Sequence, residues 1–177
     1  MPLWIALGTF YDGWVLSCKD PEHGMPELRR GLALCHEVGV FNWLTQMVVM
    51  QAGAEADAGY VEDGLTRIRE FLADTQPIKQ RWLDAELHRY RGTLLMHRAP
   101  TEPEAAEAAF KSALAVARSQ QTKTFELRAA FALAQLWRDQ GKVSEARELL
   151  APVYGWFTEG FDTRDLKEAK ALLEELA

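Results

Sequence analysis

The chain lacks the features that mark several protein classes. It has only 2 cysteines in 177 residues, too few for a disulfide framework, and this predicts a reduced, cytoplasmic protein. Its apolar runs are well short of the roughly 20 residues that span a bilayer. No basic leader or cleavage site accompanies the first apolar run, so we expect neither a signal peptide nor a membrane segment. With 7 prolines and 12 glycines, it also has no low-complexity linker.

An excess of positive charge is also missing. The chain carries 20 Lys and Arg against 26 Asp and Glu, which gives a net charge of -6. Nucleic-acid-binding surfaces need a basic stripe, so this balance argues against direct nucleic-acid binding. Hydrophobic residues make up 48% of the chain and charged residues 26%, the ordinary proportions of a folded globular protein.

Hydrophobic residues recur with a helical period along nearly the whole chain. The pattern predicts nine helices separated by Gly, Pro and polar residues, and no segment alternates like a strand. Asp162 is the predicted N-cap of the last helix. The predicted helices span residues 3–18, 25–37, 41–58, 61–75, 81–98, 103–119, 123–140, 143–158 and 163–176.

A small residue recurs at matched places in successive helix pairs. The second helix of each pair carries Gly24, Gly64, Ala106 and Ala146, which are 40, 42 and 40 residues apart. The first helix of each pair carries Gly13, Ala52, Gly92 and Ala134, and each of the last three follows the preceding second-helix residue by 28 positions. Small residues at such places let two helices approach closely. The alternative is an ordinary helical bundle whose periodicity arose by chance.

The repeat predicts an all-α fold, a right-handed superhelix of four helix hairpins closed by a C-terminal capping helix. We expect one domain over residues 1–177, with repeats at about 3–38, 41–75, 81–120 and 123–158 and the cap at 163–176. The small and large residue pattern resembles the tetratricopeptide repeat (TPR). That repeat is about 34 residues long, whereas the unit here is about 40, so the helices would be longer.

Longer segments resemble a more specific family. They are Trp82–Gly92, Phe125–Ala130, Leu136–Lys142 and, most specifically, Leu150–Leu166. These are similar to the C-terminal TPR-like region of bacterial multidomain adenylate/guanylate cyclase or transcriptional-regulator proteins with a central signalling ATPase. The resemblance strengthens toward the C-terminus. It implies a regulatory region, with any cyclase or ATPase activity in parent domains outside this chain.

Motifs for catalysis, cofactors and metals are missing. The sequence has no G-x-x-x-x-G-K-[ST] phosphate loop and no G-x-S-x-G nucleophile elbow. Cys18, His23, Cys35 and His36 fit no standard zinc spacing, and Cys35 lies on an apolar helix stripe where a small buried side chain is expected. We therefore predict a non-enzyme without cofactor or metal.

The first helices of stacked hairpins usually line a concave surface. We name this surface the groove face, and its predicted partner-binding residues are Phe10, Trp14, Gln46, Val49, Glu86, Arg89, Thr93, His97, Arg128, Phe131, Gln135 and Arg138. Apolar anchors would bind at one end, and the arginines at the other end would bind a carboxylate or an acidic segment. The alternative is that these arginines are a solvated surface paired to Glu86 and Asp139.

Several other residues depart from the repeat. Glu55 stands where Leu16, Leu95 and Trp137 stand in the other copies, which predicts a kinked or partly open pair. Trp14 should point away from the second helix, and Trp137 should lie in the core. Pro152 should kink the eighth helix. The aromatic residues after it are predicted to clasp the last helix, or alternatively to hook a partner: Trp156, Phe157 and Phe161.

These patterns predict a non-catalytic regulatory protein–protein interaction module. Its partner would be a protein or peptide segment, including the ATPase domain of its own parent, and a homodimer is possible. Two alternatives from other classes remain open at this point. One is a domain that senses a small-molecule effector, and the other is a self-association module whose interface fills the groove.

Overall fold

The computed structural model describes residues 2–39, 44–73 and 81–177. All regular elements in these residues are α-helices, so the predicted all-α class is confirmed for them. The helices are α1 (Pro2–Ser17), α2 (Pro21–Glu37), α3 (Leu44–Asp57), α4 (Val61–Ala73), α5 (Asp84–Arg98), α6 (Glu104–Ser119), α7 (Lys123–Asp139), α8 (Val143–Tyr154) and α9 (Arg164–Glu175). The predicted start of the third helix at 41 and the predicted end of the fourth at 75 lie outside the described residues.

The chain divides into two compact units. Unit 1 is Met1–Leu83 and contains α1 to α4, and unit 2 is Asp84–Ala177 and contains α5 to α9. The boundary falls three residues into the third predicted repeat, which is expected to begin at 81. That the whole chain forms one domain stays a prediction.

In unit 1, glycines allow the backbones of α1 and α2 to touch along their length. A Cβ atom on Gly13 would collide with the backbone of Leu28, and one on Gly31 would collide with the backbone of Phe10. Near the turn, a Cβ on Gly24 would collide with the backbone of Ser17. The predicted close approach at Gly13 and Gly24 is therefore confirmed.

In unit 2, small buried residues lie where the helices of each pair contact each other. Gly92 in α5 lies against the ring of Phe110 in α6, while Ala134 in α7 and Ala146 in α8 are fully buried. Around them, leucines of α6 to α9 form one apolar core, to which α9 contributes Leu166, Ala169 and Leu172. The cap helix therefore completes the core of unit 2.

Three turns between helices share one hydrogen-bonding pattern, the Schellman motif. In the turn after α7, Lys142 N–H donates to Trp137 O and Gly141 N–H donates to Arg138 O. The turns after α3 and α6 repeat this pattern. One residue in each turn adopts the left-handed conformation. It is Gly59 after α3 and Gly141 after α7, where glycine is the expected residue. After α6 it is Gln121.

Several predicted helix bounds are wrong. Helix α5 begins at Asp84 rather than 81. Helix α2 begins at Pro21 rather than 25, because the Asp20 side chain accepts a hydrogen bond from His23 N–H and proline suits the first helical position. Helix α8 ends at Tyr154 rather than 158, and Pro152 lies in its last turn. The N-cap of α9 is Thr163, not Asp162.

Candidate functional site

One buried carboxylate in unit 2 holds two arginine side chains. Glu86 lies in the first turn of α5 and is only 3% exposed. Arg89, one turn later, donates from Nε to Glu86 Oε1 at 2.9 Å and from Nη2 to Oε2 at 3.0 Å. Arg128 of α7 donates from Nη1 to Glu86 Oε2 at 3.3 Å. Both guanidinium groups are therefore fixed by the same carboxylate.

The cap helix supplies a second carboxylate to Arg128. Asp165, in the first turn of α9, accepts a hydrogen bond of 2.7 Å from Arg128 Nε. Aromatic rings lie beside both cations, with the Arg89 guanidinium 4.0 Å from the ring centre of Tyr90 and that of Arg128 6.0 Å from Phe125. The Arg128 side chain keeps 38% of its surface exposed, so part of it remains open to a binding partner.

Both arginines stay charged in this setting. Burial favours the neutral form of Arg89, but its hydrogen bonds and attraction to Glu86 outweigh that effect and hold its pKa above the ordinary value. The pKa of Arg128 is likewise raised, because its bond to Asp165 and the charge of Glu86 outweigh burial. Both guanidinium groups of the site are therefore permanently charged near neutral pH.

Arg138, at the end of α7, is also ion-paired. It donates from Nε to Asp139 at 2.9 Å and from Nη1 to Glu175 of α9 at 2.6 Å. We call the surface formed by Glu86, Arg89, Arg128, Arg138 and their acidic partners the arginine face. Each arginine of this face is paired with at least one carboxylate. The alternative in which the arginines are ion-paired therefore describes the unbound chain, and the arginine face is not an open basic patch.

The other groove-face residues of unit 2 are less engaged. Thr93 donates its hydroxyl to the Arg89 carbonyl oxygen at 3.3 Å, and His97 is exposed at the end of α5. Phe131 is partly buried and packs against the core of unit 2, and Gln135 is also partly buried. Phe131 therefore offers only one edge to an incoming apolar group.

In unit 1, the predicted apolar anchors are mostly core residues. Phe10 is 0% exposed, so its prediction as an accessible anchor is wrong. Phe10 belongs to the buried core of unit 1, together with Leu28 of α2 and Met47 of α3. Val49 is also buried, and Trp14 is partly buried against the same core instead of projecting away from it. Gln46 is exposed.

The departure from the repeat at Glu55 is explained by a buried ion cluster. Glu55 is 0% exposed and receives hydrogen bonds from Arg67 Nε and Nη2 and, at 2.9 Å, from Gln51 Nε2. Arg29 Nη2 lies 3.6 Å from Glu55 and 2.5 Å from Asp63. Glu55 is therefore the buried partner of two arginine side chains, those of Arg67 and Arg29.

A cavity of about 340 Å³ adjoins this cluster, between α2 and α4. It is lined by Arg29, Glu62, Asp63, Thr66, Arg67 and Glu70. Gln51 Oε1 is buried and accepts no hydrogen bond. The sequence pattern singled out Glu55 but not its partners, because Arg29 and Arg67 are contributed by helices other than its own.

One aromatic residue after α8 packs against the core, and two remain exposed. Phe157 packs against the core of unit 2 as the predicted clasp requires. Trp156 and Phe161 remain 57% and 47% exposed, with Lys123 Nζ 5.6 Å from the Trp156 ring centre and Tyr154 beside Phe161. Trp137 packs against the core but is only partly buried.

The described residues contain neither a candidate metal cluster nor a candidate membrane span. Within residues 2–39, 44–73 and 81–177, no three His, Cys, Asp or Glu side chains come together as a metal site. Cys35 is fully buried, as expected for a small apolar side chain, and burial raises the pKa of its thiol. In those same ranges no helix combines the length and the hydropathy needed to cross a membrane.

Comparisons with protein-family models, with curated proteins and with solved structures found no match to this chain.

Proposed function

We propose that this chain is a non-catalytic protein–protein interaction module built as a superhelix of TPR-like hairpins. Its place would be in a bacterial signalling protein of the cyclase/ATPase or transcriptional-regulator type, as the sequence resemblance implies. The arginine face of unit 2 would bind an acidic segment of the partner.

The observation that carries this proposal is the burial of Glu86 between two arginines. A buried ion pair is a poor source of stability, because removing charges from water costs several kcal/mol and apolar residues often replace such pairs without loss. What the carboxylate does provide is fixed orientation for Arg89 and Arg128. Fixing the guanidinium groups in advance lowers the entropy lost when a ligand carboxylate binds.

The exposed acidic partners suggest how binding would proceed. Asp165 and Glu175 both belong to α9 and bind Arg128 and Arg138 from the rim. The Glu175 side chain is 58% exposed, so its bond to Arg138 is a surface ion pair of small net strength. Carboxylates of a partner segment would replace these rim contacts while Glu86 keeps Arg89 and Arg128 in place.

A labelled peptide rich in glutamate and leucine provides the test. We expect saturable binding by fluorescence anisotropy, weakened by salt, and about tenfold weaker binding by Arg128→Gln. Arg91→Gln is the matched control. Arg91 is an exposed arginine of α5, but it lies two residues after Arg89 and therefore on a different side of the helix. Equal binding by wild type and Arg128→Gln, or no saturable binding, would contradict the proposal.

The cavity of unit 1 favours a second candidate function, the sensing of a small polar effector. Two arginines, three carboxyl side chains and one hydroxyl line it, enough to orient a ligand that carries both charges. A metabolite panel in which one compound raises the melting temperature of the wild-type chain, but not that of Thr66→Val, would support this candidate. A panel without any such compound would count against it.

A further inference from the structure

Helix α9 contacts the arginine face at both of its ends. Asp165, in its first turn, accepts a hydrogen bond of 2.7 Å from Arg128, and Glu175, in its last turn, accepts one of 2.6 Å from Arg138. Each carboxylate lies 37 residues after the arginine that it binds. The two ion pairs are therefore about 15 Å apart along both helices, and α7 and α9 run in the same direction where they meet.

The carboxylates of α9 occupy the donors that an acidic ligand needs. Arg128 donates from Nε to Asp165 and from Nη1 to Glu86. Arg138 likewise donates from Nε and from Nη1 to carboxylates. A carboxylate that binds an arginine in the strong bidentate geometry uses two of its three nitrogens. At either arginine it therefore competes for at least one nitrogen that already donates to a carboxylate of this chain.

Asp165 and Glu175 can give up these bonds, whereas Glu86 cannot. Glu86 is buried and is also held by Arg89, so moving it would leave an unpaired charge in the interior. The side chains of Asp165 and Glu175 are 29% and 58% exposed, so each can turn into water and stay solvated. Ion pairs at such exposure have a small net strength. A ligand would therefore displace the carboxylates of α9.

We propose that α9 is an internal competitor of the partner and that a bound partner loosens α9 from α7. The coupling rests on the proposed binding of an acidic segment by the arginine face. It is reciprocal, because the factor by which Asp165 and Glu175 weaken partner binding equals the factor by which the partner weakens the attachment of α9. The apolar contacts of Leu166, Ala169 and Leu172 persist, so α9 opens more often but is not released. The attachment of α9 thus depends on whether the arginine face is occupied.

Binding of the labelled peptide rich in glutamate and leucine tests the competition. Glu175→Gln removes the charge that pairs with Arg138, and we expect fluorescence anisotropy to show about threefold tighter binding. Glu174→Gln is the matched control. Glu174 is the neighbouring residue of α9 and is also more than half exposed, but it pairs with Lys170 at 3.8 Å rather than with an arginine of α7. This variant should bind the peptide as the wild type does, although the change in net charge is the same.

Hydrogen exchange of the backbone amides of α9 measures the reciprocal effect. Saturating peptide should speed their exchange about threefold in the wild type and leave the amides of α6 unchanged. The acceleration should be smaller in Glu175→Gln, because one of the two contacts is already absent. Arg138→Gln should speed exchange in α9 without any peptide, which measures the attachment of the helix independently of binding.

The possible results separate the coupling from the proposed function. If Arg128→Gln weakens peptide binding but Glu175→Gln and Glu174→Gln bind equally tightly, the arginine face binds acidic segments and only the coupling is wrong. Bound peptide that leaves exchange in α9 unchanged, or slows it, would overturn the coupling in the same way. If neither the wild type nor any variant binds the peptide, the proposed function and the coupling are both wrong.

Discussion

At the scale of single residues, Gln121 stands in a conformation that glycine adopts at no cost. Its φ is 56°, and it occupies the place in its turn that Gly59 and Gly141 occupy in theirs. A side chain in this region is strained by about 1 kcal/mol. We predict that Gln121→Gly stabilises the fold by about 0.5–1 kcal/mol in urea unfolding, whereas Gly141→Ala destabilises it by a similar amount. A loss of stability in Gln121→Gly would contradict this reading of the turn.

Glu55 makes a second prediction at this scale. Glu55→Ala leaves Arg67 and Gln51 without their shared partner and should cost about 3 kcal/mol, measured by chemical denaturation. The double variant Glu55→Leu with Arg67→Met restores the apolar residue of the other repeats and should lie much closer to the wild type. Arg29 retains its bond to Asp63 in both variants. If the double variant were no more stable than Glu55→Ala, the cluster would not be a replaceable ion pair.

Glu126 predicts a dependence of stability on pH. Burial alone would raise its pKa, but Lys123 at 2.7 Å and Arg118 at 2.9 Å outweigh burial and lower it below the ordinary value of 4.5. The ionised carboxylate therefore stabilises the fold above about pH 4.5, and this contribution is lost as the pH falls through the lowered pKa. Melting temperatures of Glu126→Gln should fall less steeply than wild type between about pH 5 and pH 3. Parallel curves would contradict this role.

The sequence predicts which small residues are buried. It does not predict which arginines are ion-paired with carboxylates far along the chain. Gly24, Ala106 and Ala146 belong to a series that recurs every 40 to 42 residues, and packing demands small side chains at such places. Arg128 and Arg138 are paired by Asp165 and Glu175, which lie 37 residues further along the chain. No local spacing encodes that contact, because it depends on how α9 docks. Phe10 was misassigned to the groove face because helical spacing did not show how closely α2 approaches.

At the scale of elements, the two units use glycine differently. Gly31 in α2 faces the backbone of Phe10, which cannot move without separating the helices, whereas Gly92 in α5 faces the side-chain ring of Phe110, which can shift without moving a backbone. We predict that Gly31→Ala destabilises the fold by about 2 kcal/mol or more, and Gly92→Ala by about 1 kcal/mol or less. Urea unfolding of both variants measures the difference. Equal losses would show that backbone contact is not the deciding factor.

Helix positions were largely predictable, and helix ends less so. Apolar periodicity located all the described helices because it reflects burial on one side. The start of α2 was missed because Pro21 was read as a break, although proline is compatible with the first turn. The end of α8 was missed because the aromatic residues after Tyr154 continue the apolar pattern outside the helix.

At the scale of the whole molecule, the two compact units present different surfaces. Unit 1 presents the polar cavity, and unit 2 presents the arginine face, which the cap helix completes with Asp165 and Glu175. Neither surface belongs to the apolar core of its unit. Binding at one surface can therefore be measured with the other altered.

Selection from a random peptide display library tests most directly the proposal that the arginine face binds acidic partners. The wild-type chain should enrich peptides with paired Asp or Glu beside an apolar residue, and the folded chain with Arg128→Gln and Arg138→Gln, its folding checked by its melting transition, should lose that enrichment. Peptides without acidic bias, or the same acidic peptides from both chains, would contradict the claim.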